Sequence, residues 1–386
     1  MAEPTEGGFG LYIHWPFCQS KCPYCDFNSH VAARIDQRRW LRAYLSEIER
    51  YREETGGRLL NSVFFGGGTP SLMDAEVVAE ILDAVRAAWP VANDWEVTLE
   101  ANPGSVEAGK FRDFRQAGVN RLSMGIQALN DADLRRLGRL HSASEAMQAF
   151  DIARKCFDRV SFDLIYARQE QTALAWGKEL RQALAMAVDH LSLYQLTIEE
   201  GTAFGDRFAR GGLRGLPDED VSVEMFEITQ ELCDAAGFAA YEVSNHARPD
   251  AQSQHNLIYW RGGDYLGIGP GAHGRLTLDG QRFATEATRA PGQWLEWAET
   301  RGSGDLPRTV VSGVERAAEY LMMSLRLTEG MDLRRFERIA GRELSKDRVS
   351  ALEALGFIEK TNGLLRTTPA GRLVLNSVIR ELAADL

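Results

Sequence analysis

Short apolar, β-branched or aromatic runs alternate with longer amphipathic stretches through the first two-thirds of this chain. Six runs read as strands: Leu11–His14, Ser62–Phe65, Trp95–Glu100, Arg121–Ile126, Val160–Tyr166 and His190–Leu196. Between the first three, apolar residues recur at helical spacing, as Trp40, Leu41, Tyr44, Leu45 and Ile48, then as Val77, Val78, Ile81, Leu82 and Val85. Each set marks an amphipathic helix with one buried stripe. Such alternation builds βαβ units around a parallel sheet. Six units predict a partial (βα)6 barrel, whose functional residues collect at the C-terminal strand ends.

The pattern changes twice further on. Asp218 is placed to cap a helix running through Val221, Met225, Phe226, Ile228 and Leu232, with Gly237 ending it. Helical periodicity returns at Arg316–Leu327, Leu333–Ile339 and Val349–Leu355. Asn362-Gly363 then sits between two short β-prone runs, a hairpin signal. Helices, a hairpin and a final helix predict a small winged-helix-like α+β domain. The expected organisation is an α/β fold with a core barrel over 1–240, a connecting segment over 241–311 and a C-terminal domain over 312–386.

The 386 residues are 44% hydrophobic and 26% charged, with a formal net charge of −11. An acidic surface repels phosphate, so no nucleic-acid partner is expected. Residues 331–386 carry ten Lys/Arg against eight Asp/Glu, which is no DNA-binding patch. The opening Met1-Ala-Glu-Pro-Thr-Glu-Gly-Gly lacks the basic and apolar regions of a secretory signal. No run of about 18 apolar residues marks a membrane span. The expected compartment is the cytoplasm, where thiols stay reduced.

That makes the cysteines informative. Cys156 and Cys233 lie in helical patterns and read as packing. Cys18, Cys22 and Cys25 form a CxxxCxxC cluster just after the first strand, one thiol short of a closed four-ligand site. Structural zinc normally draws on two separated ligand pairs; His14, Asp26 or His30 would have to supply a fourth ligand here. A [4Fe–4S] cluster on three thiolates keeps one iron open. Other polar motifs also sit at strand ends. Consecutive glycines in Gly66-Gly67-Gly68-Thr69 let a ligand approach backbone N–H groups. Glu100-Ala-Asn-Pro-Gly104, Gly125-Ile-Gln127, Arg139 and Asp163 follow, and then His255-Asn-Leu-Ile-Tyr259-Trp260. Taken singly, these are also a tight turn, a capping carboxylate, a solvated arginine and a packed histidine.

Together the motifs resemble the radical SAM superfamily. CxxxCxxC after the first strand, with an aromatic residue (Tyr24) before the third cysteine, is its signature. Tyr12-Ile-His-Trp-Pro-Phe-Cys18 and Cys25-Asp-Phe-Asn-Ser-His30 are similar to the anaerobic coproporphyrinogen III oxidase family, most of all to its haem chaperone (HemW-like) branch. The resemblance covers nearly the whole chain. It implies a [4Fe–4S] cluster on Cys18, Cys22 and Cys25, with S-adenosyl-L-methionine (SAM) at the open iron. It also implies SAM contacts from Tyr12, Tyr24, Gly67, Gly68, Thr69, Glu100, Gln127, Arg139 and Asp163. In that branch HNxxYW is linked to haem, which makes His255 the expected haem-binding residue.

Two activities compete under this resemblance. One is a haem chaperone that delivers haem to haem-accepting proteins, with room for peripheral contact with membrane-held acceptors. The other is oxidative decarboxylation of coproporphyrinogen III. The oxidases carry a fourth cysteine two residues after the third, where this chain has Phe27, and a longer leader before the first. The chaperone is the expected function. A winged-helix regulator with an iron–sulfur sensor is a third reading, disfavoured by the acidic surface. One departure stands out: where the branch continues after Asp163 into a Gly-Leu-Pro turn, this chain has Tyr166-Ala167-Arg168-Gln169, which is expected to reshape that rim.

Overall fold

The computed structural model describes residues 6–104 and 108–386, so the first five residues of the N-terminal reading lie outside it. All six expected strands form: β1 (Phe9–Trp15), β2 (Leu60–Gly67), β3 (Val91–Ala101), β4 (Arg121–Gln127), β5 (Arg159–Tyr166) and β6 (His190–Gln195). They pair in parallel in that order. Side chains alternate across a strand, and here the two faces differ. Leu11, Ile13, Val63, Phe65, Leu99, Leu122 and Phe162 are buried against the flanking helices. The predicted stripes supply the other half of that core, from helix Gln37–Thr55 and helix Ala75–Ala88. On the opposite, concave face stand Tyr12, Phe64, Glu100, Ser123, Asp163 and Ser192, lining a cavity of about 210 Å³. A parallel sheet is usually apolar on both faces; a polar concave face is what makes room for chemistry.

Asp218 does cap helix Glu219–Ala235, its carboxylate accepting from Val221 N–H, and Gly237 beyond it is left-handed. Cys233 is fully buried in this packing.

Segment 241–311 does more than connect. A strand absent from the sequence-based expectation, β7 (Asp264–Ile268), pairs in parallel with the free edge of β1. Hairpins beyond it, and a strand at Asn245–Ala247 beside β6, widen the whole to twelve strands. The strand escapes the hydrophobic pattern because its first residue is a fully buried aspartate. Asp264 is held by Arg282 at 2.6 Å and Arg58 at 3.0 Å, partners distant in sequence. Helix Gln254–Trp260 closes the base of the concave cavity, with Ile258 and His255 packed at Gly10 of β1.

The C-terminal region has the expected winged-helix-like form. Helices Gly313–Ser324, Leu333–Ala340 and Lys346–Ala354 surround a small core with Phe336, Leu352 and Leu365. The hairpin Ile358–Thr361/Leu364–Thr367 turns at Asn362 (φ 54°) and Gly363 (φ 82°), the paired left-handed residues of a two-residue turn. Met331–Asp332 completes a three-stranded sheet.

Candidate cluster and cofactor site

The cysteine loop leaves β1 and is closed at its base by a two-residue parallel bridge between Phe17–Cys18 and His30–Val31. Two side chains from elsewhere donate to its sulfurs: Thr69 Oγ1, just beyond β2, to Cys18 Sγ at 3.4 Å, and Arg139 Nη1, just beyond helix Asp131–Arg136, to Cys22 Sγ at 3.3 Å. Ser29 Oγ lies 4.0 Å from Cys25 Sγ. Asn102 joins the two donors. Its amide donates to Thr69 Oγ1 at 3.3 Å, and its carbonyl accepts from Arg139 Nη2 at 2.7 Å. Arg139 Nη2 also donates to Gly125 O. Tyr24 packs on Phe204 and shares a hydrogen bond with Arg139; burial raises its phenol. Burial likewise raises the Cys18 and Cys25 thiols.

The glycines of the next motif are required by close approach. Gly67 has φ 109°, and a Cβ there would come within 2.5 Å of the His14 ring; one on Gly68 would meet Phe17 O at 2.6 Å. His14 is buried between two partners, Asn28 O at 2.9 Å from Nε2 and Tyr12 Oη at 3.1 Å from Nδ1. The carbonyl requires the proton on Nε2, so Nδ1 accepts from the tyrosine. Burial lowers the His14 pKa and raises that of Tyr12. Asn28 in turn donates to Pro270 O and Arg289 O, so the Gly-rich turn after β7 braces the cysteine loop.

On the concave face lie two carboxyl groups, Glu100 and Asp163, with no ion pair among the described residues. Both line the cavity and are half-buried. Burial, then repulsion from Asp163, lifts Glu100 to about 8, partly offset by the Gly67 N–H it accepts. Burial lifts Asp163 to about 6, against the Ser192 hydrogen bond and the charges of Arg121 and Arg139. Two half-buried carboxyls lining a polar cavity fit a ligand that brings positive charge and hydroxyl groups. SAM carries an ammonium, a sulfonium and a ribose diol.

Gln127 ends β4 with φ 73°, and its carbonyl accepts from Arg168 Nη1 at 3.3 Å. Arg168 is the departure seen in the sequence. It is 3% exposed, donates to Ile165 O at 2.8 Å and pairs with Asp133 at 2.9 Å and with Glu179. An internal ion cluster thus braces the rim where the resembling branch has a glycine–proline turn. Ala167 adopts φ 55° to allow it.

His255, the expected haem-binding residue, lines the base of the cavity and is 1% exposed. Its Nδ1 lies 2.7 Å from Ser62 Oγ and its Nε2 2.6 Å from Tyr259 Oη. The ring stacks on Phe64, and burial, with Arg121 nearby, holds it neutral with a pKa of about 3. Both ring nitrogens have hydroxyl partners in this arrangement.

The structure therefore gathers Cys18, Cys22, Thr69 and Arg139 into one hydrogen-bonded group. It places Tyr12, Glu100, Asp163 and His255 around one cavity, with Gly67 N–H donating to Glu100 and Gln127 outside its lining at the end of β4. His14 and Asn102 were missed. Period 2 would have found both, since each follows a nominated residue, Tyr12 or Glu100, by two positions. Among the described residues no three His, Cys, Asp or Glu side chains converge on a single-ion site. A cubane is larger, with each thiolate on its own iron. Donors aimed at two sulfurs, and a buried Arg139 Nε lacking a partner, fit an anionic sulfur cluster with a bound ligand.

Residues 12–172 match the radical SAM superfamily, and residues 311–374 match the HemN C-terminal domain. Over 382 residues the chain is 39% identical to heme chaperone HemW of Escherichia coli (strain K12), covering 97% of this chain and 98% of that protein. It is 38% identical to the mitochondrial radical S-adenosyl methionine domain-containing protein 1 of Bos taurus, covering 99% and 89%. Heme chaperone HemW of Mycobacterium tuberculosis (strain ATCC 25618 / H37Rv) is 36% identical, covering 97% and 94%. Among solved structures, the coproporphyrinogen III oxidase HemN of Escherichia coli superposes with a TM-score of 0.81 over 99% of this chain and 91% of that one. At 21% identity, that likeness is one of fold.

Proposed function

This chain belongs to the HemW-like haem chaperone branch of the radical SAM superfamily, and from that premise we propose that it binds haem and passes it to acceptor proteins. The observation that carries the reading is the near full-length identity to proteins named heme chaperone. Phe27, exposed on the cysteine loop where an oxidase has its fourth cysteine, supports it.

Superfamily membership implies a [4Fe–4S] cluster and SAM. Cys18, Cys22 and Cys25 would hold the cluster, which when bound with SAM supplies one-electron cleavage of the sulfonium. The chain's own residues do the rest. Arg139 and Thr69 donate to the sulfurs and stabilise their negative charge. Glu100 accepts the ligand's ammonium and Asp163 its diol, while Tyr12 and His14 hold the floor beneath. Five unpaired cysteines fit a reducing compartment, and we place the protein in the cytoplasm.

The test is a titration of haem into anaerobically reconstituted protein, with coproporphyrinogen III assayed in the same samples. We expect a saturating Soret band and no decarboxylated product. Turnover to protoporphyrinogen would replace the chaperone reading with the oxidase one.

A further inference from the structure

Asn102 carries no charge, yet both side chains that donate to the cysteine sulfurs converge on it. Its placement begins with the chain around it. It follows the last residue of β3, and Pro103 disfavours helical backbone at the position before it. Its own N–H donates to Ser71 Oγ at 3.4 Å, in the short helix Pro70–Leu72 that follows Thr69. Asn102 and Thr69 are thereby held side by side beyond two paired strands, β2 and β3. Arg139 arrives from the other side. Its Nη2 donates to Gly125 O at 2.9 Å and to Asn102 Oδ1 at 2.7 Å, with Nη1 at Cys22 Sγ.

The direction of each hydrogen bond is then dictated by what each group can donate. A guanidinium has N–H donors and no acceptor, so the amide atom facing Arg139 is the oxygen. The amide nitrogen therefore faces Thr69, 3.3 Å away. Thr69 Oγ1 receives that N–H on a lone pair and turns its single proton to Cys18 Sγ at 3.4 Å. The arginine sets the amide, the amide sets the hydroxyl, and the hydroxyl proton points at sulfur. A reversed amide would set its oxygen against Cys18 as a rival acceptor for that proton.

The donors are unevenly spread over the loop. Cys18 and Cys22 receive theirs at 3.4 and 3.3 Å, both held by Asn102. The side-chain contact at Cys25 is longer, Ser29 Oγ at 4.0 Å. Two of the three sulfurs thus depend on one neutral side chain for their side-chain donors. Hydrogen bonds to sulfur help set the reduction potential of an iron–sulfur cluster. Each favours the reduced state, which carries the extra negative charge.

We propose that Asn102 is a positioning residue that raises the potential of the cluster on Cys18, Cys22 and Cys25, by aiming Thr69 at Cys18 and Arg139 at Cys22. The proposal rests on the cluster that superfamily membership implies, and stands apart from haem carriage.

Three substitutions take the relay apart. Asn102→Asp keeps an acceptor for Arg139 but offers Thr69 a second one in place of N–H, so the hydroxyl proton turns from Cys18 to the carboxylate. Asn102→Leu removes both partners with little change in size. Thr69→Val removes the hydroxyl itself. The experiment measures the midpoint potential of the anaerobically reconstituted full chain, without SAM, by reductive titration followed by electron paramagnetic resonance. Iron content and cluster absorbance report that each variant holds its cluster. We expect a lower potential in all three variants. We also expect the Thr69→Val/Asn102→Leu double variant to shift by less than the sum of the single ones, because the two residues share a path to Cys18. Should Asn102→Leu hold no cluster, Asn102→Asp with and without Thr69→Val carries the same comparison. Wild-type potentials in the Asn102 variants, or shifts that simply add to that of Thr69→Val, would overturn the proposal, since a residue that only packs produces neither effect. A wild type that takes up no cluster would overturn the cluster assignment and the proposal with it, leaving haem carriage to its own test.

Discussion

Glu100 shows how the surroundings of a single candidate site residue set the cost of its charge. Its folded pKa of about 8 lies above the ordinary 4.5. Between those values the folded chain keeps a proton that the unfolded chain has released, so charging Glu100 removes stability as pH rises toward 8. Glu100→Gln deletes that penalty. Cofactor-free variant should melt at a higher temperature than wild type above pH 8, with the gap closing near pH 5, yet bind SAM at least tenfold more weakly. Thermal melts at both pH values and equilibrium dialysis of SAM check this; equal melts at high pH would show that the carboxyl is not buried in charge terms. Cys18, Cys22 and Cys25 were legible because their spacing is local. The contact between Arg139 and Cys22 was not, because it joins residues 117 apart, and only folding brings the loop after helix Asp131–Arg136 to the cysteine loop.

At the scale of elements, the loop after β5 is the instructive case. The sequence showed that a glycine–proline turn was missing and nothing of what replaced it. Arg168 reaches from that loop to Asp133 ahead of Arg139, to Glu179 on helix Ala173–Met186 and to the carbonyl of Gln127. One buried cation thus ties three elements behind the SAM rim. Arg168→Leu leaves two acids facing one another without a partner and should cost roughly 3–5 kcal/mol, read by urea unfolding, with weaker SAM binding as Gln127 loosens. A variant as stable as wild type would show that the acids find other partners. The six core strands were legible because their apolar face alternates regularly. β7 was not, since a strand that begins on a buried, ion-paired aspartate does not read as apolar.

Across the whole molecule, the twelve-stranded sheet gathers the candidate cluster and SAM residues at the C-terminal ends of β1 to β5 and in the loops beyond them. Helix Gln254–Trp260 closes the base of that cavity, with His255 and Tyr259 both lining it. Fold class was legible from the strand–helix alternation, and superfamily membership from motif spacing; the closure of the concave cavity was not, because its base comes from helix Gln254–Trp260, far along the chain. The central claim is delivery of haem, and delivery is measured by handover. Haem-loaded, cluster-reconstituted protein is mixed anaerobically with a haem-free acceptor whose spectrum changes on loading, and the Soret shift is followed in time against free haem at the same concentration. The account predicts transfer to the acceptor with matching loss of haem from this chain, faster than free haem loads it. Haem that stays on this chain while the acceptor remains empty would contradict it.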